Sequence, residues 1–346
     1  MSLPLIAAWL VRWVGFVALA GLVGSFVVEL VVLPVGVPEL AGTYRRLRRL
    51  RLGCATLLLL AAGAELWLRA STMSGGGPHG ALLATPVVLT RTHFGWVWSA
   101  RATGLLVLLA FSMTTSPSLR SVGAVIMLGI ALSVALTGHA ADLGDVSVAV
   151  GIDWLHVVAA ATWTGGLLAL TGIVLRAATQ WPATLLATVM RRFSRVAAWC
   201  LLGVVLSGGY SAWAQLLTVA ALWRTTYGRV LAVKLLLVLA LAWWGAVNRY
   251  LVLPRLGAGP AAGVLSRLFA LGKRALLGWR GAERPAPRSE LAVYLTREAI
   301  LAILVFGCTA LLVESTPARH AHHLEHHPTS VAPAPIPTVS LGHISR

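Results

Sequence analysis

Charged residues are scarce in this 346-residue sequence, and acidic residues are scarcer than basic ones. Asp, Glu, Lys and Arg together make up 11% of the chain, and only 11 residues are Asp or Glu. Hydrophobic residues make up 58%, and the mean hydropathy is +0.82. This composition excludes a soluble globular domain, which needs more polar side chains at its surface. It predicts a polytopic helical membrane protein, because a helix satisfies its own backbone hydrogen bonds in lipid. The lipid bilayer is therefore the first expected partner.

Sulfur-containing residues are also few, and their spacing excludes the usual sulfur-based metal motifs. Cys54, Cys200 and Cys308 each lie alone in an apolar run without a CxxC partner, so we interpret them as small buried hydrophobic residues. The five methionines show no MxxxM spacing, which argues against a thioether-lined copper(I) pore. No GxxxxGK[ST] motif is present, so any transport is expected to be passive or ion-coupled.

Long apolar runs, in contrast, are abundant. About 20 mostly apolar residues are needed to cross a bilayer, and eight runs meet that requirement. They cover approximately residues 6–33, 52–72, 95–114, 121–140, 149–174, 194–217, 229–252 and 293–314. We therefore predict an all-α bundle of eight transmembrane helices over residues 1–316, followed by a disordered tail over 317–346. The first run has no basic residue before it and no cleavage site of small residues, so we expect it to be a retained span.

The 28 Lys and Arg residues give a formal net charge of +17, which in a soluble protein would suggest nucleic acid. Here they cluster in the connections that follow the first, fifth and seventh runs, at 45–51, 176–195 and 255–288, whereas the connection between the fourth and fifth runs has none. The positive-inside rule places the basic connections in the cytoplasm and both termini outside. We therefore expect no nucleic-acid partner.

Two connections have features of their own. Residues 264–279 form an amphipathic basic stretch, which is either a helix on the anionic inner leaflet or a simple topology anchor. The connection 74–95 is Gly-rich and then apolar, and we expect an outer loop that dips partly into the membrane.

Residues 137–167, TGHAADLGDVSVAVGIDWLHVVAAATWTGGL, join the fourth and fifth runs and carry a concentration of ionisable groups. His139 ends one predicted helix, and Asp153 and His156 begin the next, on one face because they are three residues apart. His93 lies at the outer mouth of the third run. Ionisable groups within a membrane mark functional sites, and imidazole binds copper, zinc and nickel. We predict a metal site formed by His139, His156, His93 and Asp153, the carboxylate serving as a ligand or orienting a ring. The alternative is that each histidine bonds a backbone carbonyl.

Further polar and aromatic side chains lie in the predicted spans. Trp163 follows His156 by seven residues on the same face, as a packing aromatic or as a gate beneath the site. Glu65 and Arg69 are spaced as an ion pair, and Arg101 is expected to compete for Glu65, so this group is a candidate pathway element. Glu29 and Glu298, near the inner ends of their spans, serve either an exit path or pairing with inner arginines. Lys234 lies in the outer part of the seventh span.

The tail after Pro317 contains five histidines within eight residues. Such a tract collects copper, zinc or nickel with little geometric selectivity, and the predicted topology places it on the side of the predicted metal site. The alternative is a solvated low-complexity tail. The histidines are His320, His322, His323, His326 and His327.

Several stretches resemble a known family. THFGWVWSAR (92–101), TGHA (137–140), HVVAAATWTGGL (156–167), RRFSRVA (191–197), TTYGRVLAVK (225–234) and the pair Asn248–Arg249 span about two thirds of the chain. Their order and spacing resemble the copper resistance D (CopD) family of bacterial inner-membrane proteins. The first two spans resemble it only in hydropathy.

The resemblance implies an eight-helix protein that moves copper from the periplasm to the cytoplasm and has a periplasmic CopC-type copper-binding partner. Copper would be the ion bound or transported, and the membrane histidines of the family correspond to His139 and His156. We expect a transporter and no enzymatic activity. Two alternatives remain: a haem-binding oxidoreductase similar to the HemJ-type protoporphyrinogen oxidases, and a copper sensor or docking protein without transport.

Overall fold

The computed structural model describes residues 3–75, 77–111, 117–138, 141, 144–215, 221–256, 267–272 and 287–314. These residues contain no β-strand, and nine of their helices have 14 or more residues, which confirms the all-α prediction. The helices are α1 (Leu3–Val27), α2 (Ala41–Ser74), α3 (Pro78–Arg91), α4 (His93–Phe111), α5 (Pro117–Ala135), α6 (Val148–Ala169), α7 (Ala183–Gln215), α8 (Thr226–Val247) and α9 (Pro287–Glu314).

Eight of the nine helices, all except α3, are long and apolar enough to cross a membrane, as predicted. The beginning of α1 and the end of α9 meet at one end of the bundle, where Arg12 Nε lies 2.6 Å from Glu314 Oε1. This end, at which α4, α6 and α8 also begin, is called the His93 end, and the opposite end is called the Arg45 end. The placement of both termini outside the cell stays a prediction. The boundary of the tail also stays a prediction, because residues 315–346 lie outside the described residues.

The structure corrects two expectations about the connections. The expected outer loop at 74–95 is mostly α3, which begins with Pro78 and packs on α2 and α4 through Leu66, Ala81 and Phe94. The arginines at 45–51 and 191–195 belong to α2 and α7 rather than to loops. Both helices extend past their apolar cores, because a long arginine side chain can reach water while its backbone stays helical. Of the predicted surface helix 264–279, residues 267–272 are helical, and Phe269 stacks on Tyr250.

Three spans change to a π-helical turn as they approach the Arg45 end. Val28–Val32 continues α1, Leu170–Val174 continues α6 and Asn248–Val252 continues α8. A π-helical turn contains one residue more than an α-helical turn, and such turns are frequent at functional sites. Two of the three contain a buried polar side chain, Glu29 in the first and Asn248 in the third.

The backbones of α1 and α6 touch where they cross. A Cβ built on Gly165 would collide with the carbonyl oxygen of Ala20 and lie 2.8 Å from the nitrogen of Gly24, and a Cβ on Gly24 would collide with the Gly165 backbone. Ala20 and Gly24 are four residues apart, as are Ala161 and Gly165, which is the small-xxx-small pattern of close helix packing in membranes. The small residues of α6 therefore allow close helix approach, as the sequence predicted.

Helix α9 closes the bundle against α1. The indole Nε1 of Trp9 donates a 3.0 Å hydrogen bond to the carbonyl oxygen of Gly307, and that of Trp13 donates one of the same length to Ile303. Trp98 and Trp154 likewise donate to carbonyl oxygens of the neighbouring helices α2 and α5. Because lipid offers no acceptor for an indole N–H, each of these bonds fixes a helix pair as well as satisfying a donor.

We expect Gly165→Ala to destabilise the protein by about 1–3 kcal/mol, because the added methyl group forces the backbones of α1 and α6 apart. Gly151→Ala is the matched control on the same helix, since a Cβ there meets nothing within 4 Å. It should be neutral or stabilising by up to about 1 kcal/mol through helix propensity. Thermal unfolding in detergent measures both, and equal midpoints for the two variants would contradict the close crossing.

Candidate functional site

His156 lies inside the bundle on α6, where it faces α7. It follows the first residue of α6, Val148, by eight positions, which places it about 12 Å along the helix from the His93 end. Its Nδ1 lies 3.0 Å from Ser207 Oγ. A Cβ built on Gly208 would lie 3.2 Å from His156 Cε1, so the absence of a side chain there leaves room for the ring.

The ring of His156 is held both by the backbone of Val204, the kind of bond that the alternative interpretation of the histidines predicted, and by the hydroxyl of Ser207. The one hydrogen of this hydroxyl is donated to the carbonyl oxygen of Gly203, at an O···O distance of 2.5 Å. The Ser207 oxygen therefore accepts a hydrogen bond from Nδ1–H of His156. A neutral imidazole protonated at Nδ1 carries its lone pair on Nε2, which is the nitrogen that would bind a metal ion.

Asp153 and Lys234 place two opposite charges beside His156. A Cβ built on Gly138 would lie 3.8 Å from Asp153 Oδ2, so the carboxylate extends towards the chain that follows α5. Lys234, eight residues into α8, interacts electrostatically with both Asp153 and His156. Its depth matches that of His156, because both helices begin at the His93 end. The histidine–lysine cluster is defined as Asp153, His156, Ser207 and Lys234.

His93 begins α4 and lies at the surface. Its Nε2 is 2.9 Å from Asp145 Oδ2, and both side chains are about half exposed. His93, Arg69 and Thr137 line a surface pocket of about 200 Å³ beside this contact. Asp145 thus becomes the acidic partner of His93, which the sequence did not predict.

The predicted four-residue metal site is only partly visible. His139 and the five tail histidines lie outside the described residues. Within the described residues, no three His, Cys, Asp or Glu side chains are grouped to hold a metal ion. The structure directs Asp153 towards the chain that follows α5 and His156 towards α7, and it pairs His93 with Asp145. A site that combines His139, His156, His93 and Asp153 stays a prediction.

Glu65 on α2 is surrounded by arginines from three helices. Its carboxylate oxygens lie 3.4 Å from Arg101 Nη1, 3.5 Å from Arg12 Nη2 and 3.9 Å from Arg69 Nη2. The expected contacts with Arg69 and Arg101 are therefore both present, and Arg12 joins them. Arg101 is also held by Ser133, to whose hydroxyl and carbonyl oxygens it donates at 2.7 and 2.9 Å. This satisfied network fixes α1, α2, α4 and α5 to one another, and a role for Glu65 or Arg101 in a pathway stays a prediction.

Trp163 is 5% exposed and belongs to the large apolar cluster towards the Arg45 end, together with Ala159 and Leu167. Its environment agrees with a packing aromatic. Its position two turns below His156 also agrees with a gate, which stays a prediction.

The two inner glutamates have different partners. Glu29 binds Arg51 and lies 3.1 Å from Arg120 Nη1, so it pairs with inner arginines. Glu298 is 3% exposed and accepts a 3.3 Å hydrogen bond from Asn248 Nδ2. No basic side chain among the described residues forms an ion pair with Glu298. Asn248 Oδ1 is buried without a hydrogen-bond partner.

Sequence reasoning missed several members of the site. Ser207 and Gly208 form part of a short SGGY stretch on α7, where a serine among small residues looks like ordinary helix packing. Lys234 was recognised as a membrane lysine but was not connected with Asp153, because they lie on helices that are distant in sequence. A lysine and an aspartate within about one turn of the same depth, in spans that begin at the same end, are the signal that could have connected them.

Comparison with known proteins bears on what the site handles. The family model described as copper resistance protein D-like, N-terminal domain, matches residues 2–147, and the model described as copper resistance protein D matches residues 187–312. The chain belongs to the copper resistance D family. The match to the N-terminal model includes the first two spans, for which the sequence alone indicates a resemblance only in hydropathy. Helix α6, with His156, lies between the two matched stretches.

One curated relative is the copper transport protein CutJ of Bacillus subtilis (strain 168). It is 31% identical to this chain over 205 residues, which are 55% of this chain and 37% of CutJ. The match thus spans little more than a third of the length of that relative. No solved structure matches the chain.

The stretches that resemble the copper resistance D family have structural roles in the fold: two of them contact each other, and two begin helices. Arg249, of the Asn248–Arg249 pair, donates to the carbonyl oxygen of Ser194 at 2.8 Å and to its hydroxyl at 2.7 Å, and Ser194 belongs to RRFSRVA. In THFG and TTYG, the threonine hydroxyls of Thr92 and Thr225 accept hydrogen bonds from the glycine N–H three residues later, at 3.0 and 2.9 Å. These residues cap the starts of α4 and α8.

We expect Glu29→Gln to cost about 3–5 kcal/mol of stability, because it leaves the buried guanidinium of Arg51 without its counter-charge. Glu298→Gln should cost less than about 1.5 kcal/mol, since an amide can keep the hydrogen bond with Asn248. Urea or thermal unfolding in detergent compares the two. A Glu298→Gln variant as unstable as Glu29→Gln would show that Glu298 also neutralises a cation.

Proposed function

We propose that this chain transports copper across the bacterial inner membrane, from the periplasm to the cytoplasm, as part of copper homeostasis. The observation that carries the proposal is His156, held by Ser207 and the backbone of Val204 inside the bundle, in a member of a copper resistance family. The partial match to a protein named as a copper transport protein supports the same cargo.

The proposed path begins at the His93 end. A periplasmic CopC-type partner or the tail histidines deliver copper to His139 and His93. Copper then moves to Nε2 of His156, with Asp153 supplying a carboxylate oxygen. Histidine and carboxylate ligands from adjacent spans suit a transported ion, because each binds it weakly enough to release it. The transport is passive or ion-coupled, and the protein is not an enzyme.

The proposed exit at the Arg45 end passes Glu298 rather than Glu29. Both oxygens of Glu29 face arginines, so a cation near it would meet strong repulsion. Glu298 and the unpartnered Oδ1 of Asn248 offer oxygen atoms without an ion-paired arginine among the described residues. The route from His156 to Glu298 runs past Trp163.

Copper binding by His156 is tested in a background in which the five tail histidines are replaced by glutamine, so that the tail does not contribute. His156→Ala should abolish binding at the membrane site and copper flux into proteoliposomes. Ser207→Ala should weaken binding about 10–100-fold, because it removes the group that orients the ring. Gly208→Val should displace the ring, whereas the neighbouring Gly209→Val has open space and serves as the matched control.

Three results would contradict the proposal in different ways. Unchanged copper affinity in both His156→Ala and Gly208→Val would show that the site is wrong. A Soret band in the purified protein that disappears in His156→Ala would favour a haem-binding oxidoreductase. Tight copper binding without flux would favour a sensor or docking protein.

The positions of Lys234 and Asp153 near His156 lead to a separate prediction. Lys234→Met should tighten copper binding by about tenfold, because it removes a positive charge close to the cargo. Lys234→Arg keeps the charge and should leave the affinity near that of the wild type. Asp153→Asn should weaken binding by a similar factor. Equilibrium titration of copper against a competing chelator measures all three, and weaker binding in Lys234→Met would mean that the lysine organises the site rather than opposing the ion.

A further inference from the structure

The Arg45 end contains a second pocket, separate from the histidine–lysine cluster. It has a volume of about 150 Å³ and lies between α1, α2, α4 and α5. Aliphatic and aromatic residues such as Phe26 and Leu108 form its apolar wall. Its charged lining consists of Glu29, Arg45, Arg48, Arg51 and Arg120.

The charges of this lining do not balance. Glu29 is its one carboxylate, and it is already contacted by Arg51 and Arg120. Arg45 and Arg48 form no ion pair with any carboxylate in the part of the chain that the structure describes. Four guanidinium groups therefore face one carboxylate, which leaves the pocket with an excess of about three positive charges. Arg51 is buried and Arg45 is exposed, so water screens part of this excess, and an anion that reaches the buried part of the pocket is attracted by it.

Two of the arginines are fixed in place before any ligand binds. Arg51 is buried, donates to Ser25 Oγ at 3.3 Å and lies 3.8 Å above the ring of Phe26. Arg120 is held through Nη1 by Glu29, while its buried Nε has no hydrogen-bond partner. A fixed guanidinium with a free donor suits an oxyanion, because guanidinium groups match phosphate oxygens in pairs. Arg45 and Arg48 extend from successive turns of α2 to complete the donor set.

We propose that this pocket binds the phosphate group of an anionic ligand, with the headgroup of an acidic phospholipid as its source. The volume equals roughly five water molecules, enough for a phosphate group. The location also fits, because basic pockets between transmembrane helices take up acidic lipid headgroups. Free phosphate has the same chemistry and is distinguished by the experiment. The proposal does not depend on copper transport.

The test compares two variants of equal charge on one helix. Arg45→Gln with Arg48→Gln removes two arginines of the pocket lining. Arg46→Gln with Arg49→Gln removes two exposed arginines that do not line it. Native mass spectrometry and thermal unfolding in neutral detergent follow the binding of phosphatidylglycerol, phosphatidylcholine and inorganic phosphate. Midpoints measured without lipid first establish that both variants are folded.

We expect phosphatidylglycerol to raise the unfolding midpoint of the wild type and of the Arg46/Arg49 variant, and to bind the Arg45/Arg48 variant at least tenfold more weakly. Stabilisation by phosphatidylglycerol but not by inorganic phosphate identifies the lipid as the ligand, whereas equal effects of both identify the free anion. Equal weakening in the two variants would overturn the proposal in favour of general surface attraction. Equal affinity for phosphatidylcholine, or no binding by the wild type, would also overturn it.

Discussion

The direct contact between the backbones of α1 and α6 constrains the helices that pack on this pair. At the crossing, Gly165 leaves no room for a side chain against Ala20 and Gly24. Because α6 is held this closely to α1, it lies inside the bundle, with α5 and α7 packed on its other sides. Helix α1 in turn packs against α2 and α9. A histidine on α6 is thereby kept away from lipid, which is a condition for a polar site in a membrane.

The polar side chains of the interior are organised by depth as well as by pairing. His156 and Lys234 each lie eight residues from the start of their helix at the His93 end, and Arg101 lies eight residues from the start of α4. These groups form a layer about 12 Å from that end. Within it, the arginines around Glu65 are bound by partners on several helices, whereas the ring of His156 is held by Ser207 and the backbone of Val204, both on α7.

Much of the architecture could be predicted from the sequence, because hydrophobic run length and arginine clustering are properties of the chain itself. The eight spans and the proximity of Glu65 to Arg69 and Arg101 follow from spacing along one or two helices. Spacing does not determine which helices become neighbours. The hydrogen bond of His156 with Ser207 and the electrostatic interaction of Asp153 with Lys234 join helices that are far apart in sequence.

Helix boundaries and irregular turns could not be predicted from the sequence either. The arginines at 45–51 were expected in a loop, since charge usually ends an apolar run, yet α2 begins at Ala41 and includes them. The π turns depend on packing between helices rather than on residue preference, and no residue type in Val28–Val32 or Asn248–Val252 predicts them.

The two ends of the bundle differ in electrostatic character, and this difference bears on the route of a cation in the proposed transport. At the His93 end, Glu65 and Glu314 contact three arginines and Asp153 interacts with Lys234, so carboxylates offset most of the positive charge of these groups. At the Arg45 end, the pocket around Glu29 carries excess positive charge. A cation that crosses the bundle therefore needs a route away from α2, and the side of α8 and α9 provides a carboxylate, Glu298, that is not ion-paired with an arginine of the described chain. An anion bound among the arginines would lower the barrier on the other side as well, because it would neutralise the charge that repels the cargo. If both proposals hold, occupancy of the arginine pocket and passage of a cation are linked through electrostatics, even though the two sites share no residue.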